Sequence, residues 1–173
     1  MYKNDILKLT IVGILVAMQI VLTRILSIQT PIVRIGFSFL PLALTAKLYG
    51  PLAGGISAVI ADVIGMMLFP IGAFFIGFTI TAFITGFLYG LFLYNRSVSY
   101  KNLLLVTLII AVFINLLLNS YWLTILTEMS MISLLPTRII RSVIMIPVQI
   151  ITIKVTWKYL EPYLKTKLKE NYN

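Results

Sequence analysis

The stretch LLPTRIIRSVIMIPVQIITIKVTW, residues 134–157, indicates the fold class of the whole chain. It stays largely apolar over the roughly 20 residues that a helix needs to cross a bilayer. Arg138 and Arg141 interrupt it three positions apart, which places both side chains on one face of a helix. A charge at that depth costs at least about 2.5–3.5 kcal/mol. The stretch therefore predicts a membrane helix that carries a charged site.

The composition supports a membrane protein. Of the 173 residues, 60% are hydrophobic and 11% are charged, whereas soluble domains are roughly 45–50% apolar. The chain has no cysteine and no histidine, which excludes disulfides, thiol nucleophiles and imidazole acid–base chemistry. The sequence thus predicts an all-α integral membrane protein, with a single membrane domain over residues 1–173.

Six apolar stretches are predicted to form one bundle of six transmembrane helices. Turn chemistry separates them, most clearly at Gly50-Pro51 and in the polar segment 95–102. We find no sustained period-2 alternation of the kind that a membrane barrel requires. The predicted helices cover about residues 9–26, 33–50, 51–69, 71–94, 103–126 and 134–157.

The basic residues predict the orientation of the bundle. With an even number of spans, ten of the 14 lysines and arginines fall on one side of the membrane. Because basic residues favour the cytoplasmic side, we expect a multi-pass protein of the plasma membrane, with both termini cytoplasmic and the connection around Gly72 outside. The ten are Lys3, Lys8, Lys47, Arg96, Lys101, Lys154, Lys158, Lys165, Lys167 and Lys169.

The other four basic residues are all arginines, and in this topology they lie in the outer half of the bundle. They are Arg24, Arg34, Arg138 and Arg141. The acidic residues nearest to them are Asp62 and Glu128, so four positive charges less two negative leave a surplus of two. Since the guanidinium fork binds carboxylates and phosphates with two bonds, this surplus suits a ligand with about two negative charges. The alternative is that the arginines reach outward to lipid headgroups or bind backbone carbonyls.

Aromatic and amide side chains accompany these arginines. Asn119, Tyr121 and Trp122 end the fifth predicted helix, while Phe37 and Phe78 begin the second and the fourth. Together with the arginines they predict a pocket for an aromatic, hydrogen-bonding anion, although interfacial aromatic residues also form anchoring belts. The predicted ligand-binding residues are Arg24, Arg34, Phe37, Asp62, Phe78, Asn119, Tyr121, Trp122, Arg138 and Arg141.

Small residues recur at four-residue spacing on three of the predicted helices. The rows are Gly13 and Ala17; Gly54, Ala58 and Asp62; and Ala82, Gly86 and Gly90. Such rows let helix backbones approach closely in lipid. For Gly13 and Ala17 the spacing alone favours packing inside the bundle, and docking of a partner subunit is the alternative.

Four stretches carry a resemblance to a known family. They are RIGFSFLPLALTAKLYGPLAGGISAVIADVIGMMLFP (34–70), GAFFIGFTITAFITGFLYGL (72–91), NSYWL (119–123) and LPTRIIRS (135–142). The chain resembles the substrate-binding S components of energy-coupling factor (ECF) vitamin transporters, and among them the folate-specific members most. One departure is that the Ala-xxx-Ala of the group's first helix reads Gly13-xxx-Ala17 here.

The resemblance implies a transport subunit that is not an enzyme. Such a subunit would capture a vitamin in an outward pocket capped by the 1–2 loop, and Gly13 and Ala17 would bind the partner. It would associate in the bilayer with a membrane T component and two cytoplasmic ATPases, without nucleic acid and without a cofactor of its own. ATP would be used by the partner subunits, and the chain indeed contains no G-x-x-x-x-G-K-[ST] motif.

Folate fits the chemistry read from the residues. Its glutamate has two carboxylates, which match the surplus of two positive charges. The edge of its pterin would suit Asn119 or Asp62, and the face would suit Tyr121 or Trp122. Pantothenate or another anionic vitamin stays open, as do an assembly subunit that binds lipid headgroups and an enzyme acting on lipid phosphates. The last usually needs clustered Asp or His with a metal, and this chain has one intramembrane Asp and no His.

Overall fold

The computed structural model describes residues 2–29, 34–70, 74–127 and 129–170. A π-helical segment, Ile110–Leu118, joins α5 to α6 in one continuous rod, so the described chain forms six helical rods. The elements are α1 (Tyr2–Arg24), β1 (Ile28–Gln29), β2 (Arg34–Ile35), α2 (Phe39–Tyr49), α3 (Pro51–Leu68), α4 (Ile76–Leu93), α5 (Tyr100–Ile109), α6 (Asn119–Thr127) and α7 (Met131–Glu170).

Five of these rods are long and apolar enough to cross a membrane. They are α1, α3, α4, the α5–α6 rod and α7. The predicted all-α membrane class is therefore confirmed, and the boundaries predicted for the third and fourth helices differ from those of α3 and α4 by at most five residues.

The second helix is shorter than the sequence predicts. Apolar character suggested a helix over 33–50, but α2 has only 11 residues and rises about 16 Å. Its predicted first turns instead contain β2, which pairs antiparallel with β1 through Ile28 opposite Ile35. A Cβ at Gly36 would lie 2.8 Å from the Cβ of Ser27. The paired strands β1 and β2, together with residues 36–38, form a short arm before α2. The close packing of this arm takes the place of the first turns of the predicted helix, and hydropathy alone cannot predict such packing.

The sixth helix is longer than predicted. The apolar stretch ends near residue 157, whereas α7 runs on to Glu170. Lysine, glutamate and leucine in the tail are good helix formers, so helical structure continues beyond the apolar part. A hydropathy limit marks where a helix could leave the bilayer and does not mark where the helix ends.

Glycines set the closest helix contact, between α3 and α4. A Cβ at Gly86 would lie 2.3 Å from the carbonyl oxygen of Gly54, and one at Gly90 would lie 2.3 Å from the Cα of Pro51. Only residues without a side chain allow backbones to approach this closely. The predicted packing role of these two small-residue rows is therefore confirmed.

The row on α1 behaves differently. Gly13 and Ala17 are both exposed, and no described atom of another element lies within 4 Å of the position that a Cβ would take at Gly13. The expectation that this pair packs inside the bundle is therefore wrong. Spacing identifies a face suited to close approach but does not say which way that face points.

Lysines gather at the end of the bundle where the 2–3 and 4–5 connections meet α7. The Nζ of Lys47 donates to the carbonyl oxygen of Arg96 at 2.7 Å and lies 4.9 Å from the ring centroid of Trp157. Lys154 likewise donates to the carbonyl of Val98. These contacts bring residues from three parts of the chain to one end, as the charge asymmetry predicts.

Candidate ligand-binding site

A cavity of about 140 Å³ lies inside the bundle. Its lining residues come from α1, the arm before α2, α2 itself, α4, the π-helical segment and α7. Its apolar walls include the ring of Phe39 and the side chains of Leu42, Ile110 and Met145. The other lining residues are Gln19, Gly36, Ser38, Thr85, Tyr89, Asn115, Arg141 and Gln149.

The polar lining is mostly uncharged. Three amides, from Gln19, Asn115 and Gln149, each offer both donors and acceptors. The hydroxyl of Tyr89 donates to Oε1 of Gln149 at 3.3 Å. Arg141 is the charged residue among those that the structure places in the cavity wall. The cavity thus combines flat apolar faces, amide edges and one cation.

Arg138 donates a hydrogen bond to the backbone of the π-helical segment, and the geometry of that segment explains why an acceptor is available there. The N–H of Asn119 donates to the carbonyl of Ile114, five residues back, so it does not use the carbonyl of Asn115, four residues back. That carbonyl instead accepts a hydrogen bond from Nη1 of Arg138 at 2.7 Å. A local change in helix register therefore creates an acceptor that an arginine of α7 satisfies.

Arg141 is held less tightly. Its Nη1 donates to Oδ1 of Asn115 at 3.4 Å, which is longer than a good N–H···O bond. Its buried Nε has no hydrogen-bond partner among the described residues. Since Arg141 also lines the cavity, its guanidinium has donors left for a ligand. The two arginines thus have different roles: Arg138 binds a backbone carbonyl, and Arg141 lines the cavity.

Arg24 and Asp62 form an ion pair away from the cavity wall. Nη2 of Arg24 lies 3.6 Å from Oδ1 of Asp62, with side chains that are 1% and 21% exposed. Thr79 donates to Oδ2 of the same aspartate at 2.8 Å. A Cβ at Gly65 would lie 3.0 Å from Nε of Arg24, so this glycine makes room for the guanidinium. Arg24 therefore does not reach outward to lipid headgroups.

Of the predicted aromatic residues, Phe78, Tyr121 and Trp122 lie in one cluster outside the cavity wall, and Phe37 lies apart from them next to Phe39. The ring of Trp122 lies 5.5 Å from that of Phe75 and 5.2 Å from that of Tyr121, and Phe75 is 5.9 Å from Phe78. Neither Tyr121 nor Trp122 lines the cavity. Phe37 is 49% exposed and 6.0 Å from Phe39, which does line it.

Some predicted positions fall outside what the structure describes. The side chain of Arg34 is one of them, although its backbone belongs to β2. Glu128, predicted as a partner for the arginines, and Gly72, predicted in an outer connection, also lie outside the described residues. Within the described part of the chain, no group of three or more Asp, Glu, Cys or His residues could hold a metal ion.

Several lining residues were missed by the sequence reasoning. Gln19 and Gln149 carried a usable signal, because an amide in an apolar membrane run needs hydrogen-bond partners. Asn119 was selected on that basis, and the same argument applies to Asn115. Ser38 and Thr85 carried no such signal, since serine and threonine hydroxyls are common in membrane helices and often bond to their own backbone.

Comparison with known families places this site in a class of proteins. The sequence profile of the family described as "ECF-type riboflavin transporter, S component" matches residues 3–166. The chain therefore belongs to the S components of ECF-type transporters. These are transport subunits, which confirms the expectation that the chain is not an enzyme.

Individual relatives and one solved structure show which members of this family the chain is similar to. A folate transporter FolT of Clostridium novyi (strain NT) is 47% identical over 147 residues, which cover 85% of this chain and 86% of the relative. A folate transporter FolT of Leuconostoc mesenteroides is 34% identical over 155 residues, which cover 86% of this chain and 83% of the relative. A crystal structure of FolT bound with folic acid superposes with a TM-score of 0.81 at 34% identity, covering 84% of this chain and 89% of that one.

Proposed function

We propose that this S component binds folate in the cavity around Arg141 and delivers it for uptake into the cell. The observation that carries the proposal is the guanidinium of Arg141, which faces the cavity and has a buried Nε without a partner among the described residues. A half-buried cation in a cavity wall is stabilised by an anionic ligand. The likeness to relatives named as folate transporters supports the same ligand.

The amides and rings of the cavity suit the rest of folate. The pterin edge presents donors and acceptors, which Gln19, Asn115 and Gln149 would satisfy from three different elements. The ring of Phe39 offers a flat apolar face. Folate therefore uses both chemical features of the wall, whereas pantothenate has no aromatic ring to place against Phe39.

Riboflavin is the second candidate, because the matching family profile is described as a riboflavin transporter. Riboflavin is uncharged at neutral pH and would leave Arg141 without a counter-charge. For this reason, and because two relatives at 34–47% identity are named for folate, we favour folate.

Thermal-shift and calorimetric titration of the purified protein with folate, riboflavin and pantothenate tests the proposal. We expect folate to raise the unfolding temperature and to bind stoichiometrically, because a ligand that binds only the folded state stabilises it. Tighter binding of riboflavin or pantothenate than of folate would contradict the proposal.

The orientation that we propose puts both termini in the cytoplasm. The contacts of Lys47 and Lys154 support it, because they collect basic residues at one end of the bundle. Single cysteines can report on this directly, since the chain has none of its own. In intact cells we expect a cysteine added at either terminus to resist an impermeant thiol reagent. A terminal cysteine that reacts would reverse the topology.

We further propose that two cytoplasmic ATPases supply the energy, and that their membrane partner, a T component, docks on α1 at Gly13 and Ala17. Both residues are exposed on the surface of the bundle, where a partner helix could approach closely, and this supports the proposal. The protein itself would need no cofactor, and ATP would be consumed by the partners.

A bulky residue at this face should separate transport from binding. We expect Ala17→Phe to abolish folate uptake in cells while folate binding by the isolated subunit stays within about twofold, because the residue lies on the outer surface and not in the cavity wall. Leu104→Phe, at an exposed position of α5, is the matched control and should keep uptake. Parallel loss of uptake and binding in Ala17→Phe would assign the face to the subunit's own stability instead.

A further inference from the structure

A chain of side-chain hydrogen bonds leads from α4 to Arg141. Thr81 Oγ1 donates to Oδ1 of Asn119 at 3.0 Å, and Nδ2 of Asn119 donates to Oδ1 of Asn115 at 3.4 Å. The same Oδ1 accepts from Nη1 of Arg141 at 3.4 Å. Four residues from α4, α6, the π-helical segment and α7 are thereby connected.

The guanidinium dictates the direction of the whole chain. Arginine can only donate, so the Asn115 atom that faces it must be the carbonyl oxygen. That oxygen accepts from Asn119, which must therefore present its amino group and turn its own oxygen towards Thr81. The hydroxyl of Thr81 must then donate. Reversing either amide would bring two acceptors or two donors together, so only one arrangement satisfies every group.

Two of the connected residues are not in the wall. Neither Thr81 nor Asn119 lines the cavity, whereas Asn115 and Arg141 do. Thr81 is buried, with 3% of its surface exposed, and its hydroxyl also lies 2.8 Å from the carbonyl of Phe78. The hydroxyl therefore shares its single proton between two acceptors, and the carbonyl of its own helix is the nearer of them.

The backbone of Asn115 is fixed independently, because its carbonyl accepts from Arg138 at 2.7 Å. What Asn119 and Thr81 add is the orientation of the Asn115 amide, and hence the acceptor that Arg141 meets. Because the hydrogen bond from Arg141 to this acceptor is long, the orientation of the Arg141 guanidinium depends on where the acceptor is placed.

We propose that Thr81 and Asn119 are positioning residues, which orient Arg141 for the bound ligand through the amide of Asn115. This rests on the proposed function, since it assumes that Arg141 contacts folate. It reassigns Asn119, selected from the sequence as a direct ligand contact, to a role one residue behind the wall. The substrate class that it serves is an anion or other strong acceptor held by the guanidinium.

Folate titration of isosteric variants tests this proposal. Thr81→Val removes the hydroxyl and keeps the shape, and we expect about 3- to 10-fold weaker binding, as loss of one hydrogen bond typically gives. Thr81→Ser keeps the hydroxyl and should bind within about twofold of the wild type. The matched control is Thr45→Val, because Thr45 is 1% exposed and its hydroxyl donates within its own helix, to Pro41 at 2.9 Å.

A second comparison asks whether the effect passes through Arg141. In an Arg141→Lys background the guanidinium is absent, so adding Thr81→Val should cost little more, which a double-mutant cycle measures. Equal affinities of Thr81→Val and Thr45→Val would overturn the proposal, and so would an undiminished effect in the lysine background. If the wild type itself bound no folate, the proposed function would fail instead, and the two failures are therefore distinguishable.

Discussion

Replacing Arg141 with alanine is expected to weaken folate binding by about 30-fold to several thousand-fold. Removing one partner of a buried, charged hydrogen bond typically costs about 2–5 kcal/mol, at about 1.4 kcal/mol for each factor of ten. Arg141→Lys should also bind more weakly, because lysine keeps the charge but loses the planar fork. Isothermal titration of the purified variants measures both effects.

A shortened ligand shows what Arg141 holds. Pteroic acid lacks the glutamate of folate, so if Arg141 binds a glutamate carboxylate, the mutation should matter far less for pteroic acid. Equal losses for the two ligands would instead place the pterin or the benzoyl group against the guanidinium. Unchanged affinity for both would remove Arg141 from the ligand site altogether.

Replacing Gly86 with alanine is expected to destabilise the bundle strongly, because the added methyl group would clash with the backbone of α3. The added Cβ would stand 2.3 Å from the carbonyl oxygen and 2.6 Å from the carbonyl carbon of Gly54. These are backbone atoms, so α3 and α4 must move apart. Overpacking of this kind costs about 1–3 kcal/mol or more, which corresponds to a fall of roughly 2–12 °C in unfolding temperature for a chain of this size.

Gly13→Ala is the matched control for this experiment. Both glycines lie within helices, so both substitutions gain the same intrinsic helix propensity, up to about 1 kcal/mol. No described atom of another element approaches a Cβ at Gly13, so this variant should be as stable as the wild type or slightly more stable. If Gly86→Ala unfolded at the same temperature as Gly13→Ala, the glycine crossing would not be a tight contact in the folded protein.

The division of roles between the two arginines could not be read from their spacing. Three positions apart, Arg138 and Arg141 share a face of α7, and the sequence favoured the deeper one only by its depth. What separates them is the carbonyl of Asn115, which accepts from Arg138 because the helix facing α7 changes register there. No local pattern in the residues 110–118 announces that change.

The positive charge available to a ligand could also be predicted only in part from the sequence. The count of four outer arginines against two acids was correct as arithmetic, but it treated the six charges as one group. In the fold, Arg24 pairs with Asp62, while Arg141 alone of the arginines lies in the cavity wall that the structure describes. One cation at the cavity, rather than a surplus of two, is what the described residues offer to a ligand.

By itself the sequence determined the membrane class, the approximate spans of the long helices and the grouping of Lys47 and Lys154 at one end of the bundle. These follow from the hydropathy and charge of consecutive residues, which are properties of the chain before it folds. The tertiary structure alone decided that α2 begins only at Phe39, that Gly13 and Ala17 face outward, and that Gln19, Asn115 and Gln149 meet at one cavity. Each of those depends on contacts between residues far apart in the chain, and the direction in which a helix face points is set by its neighbours.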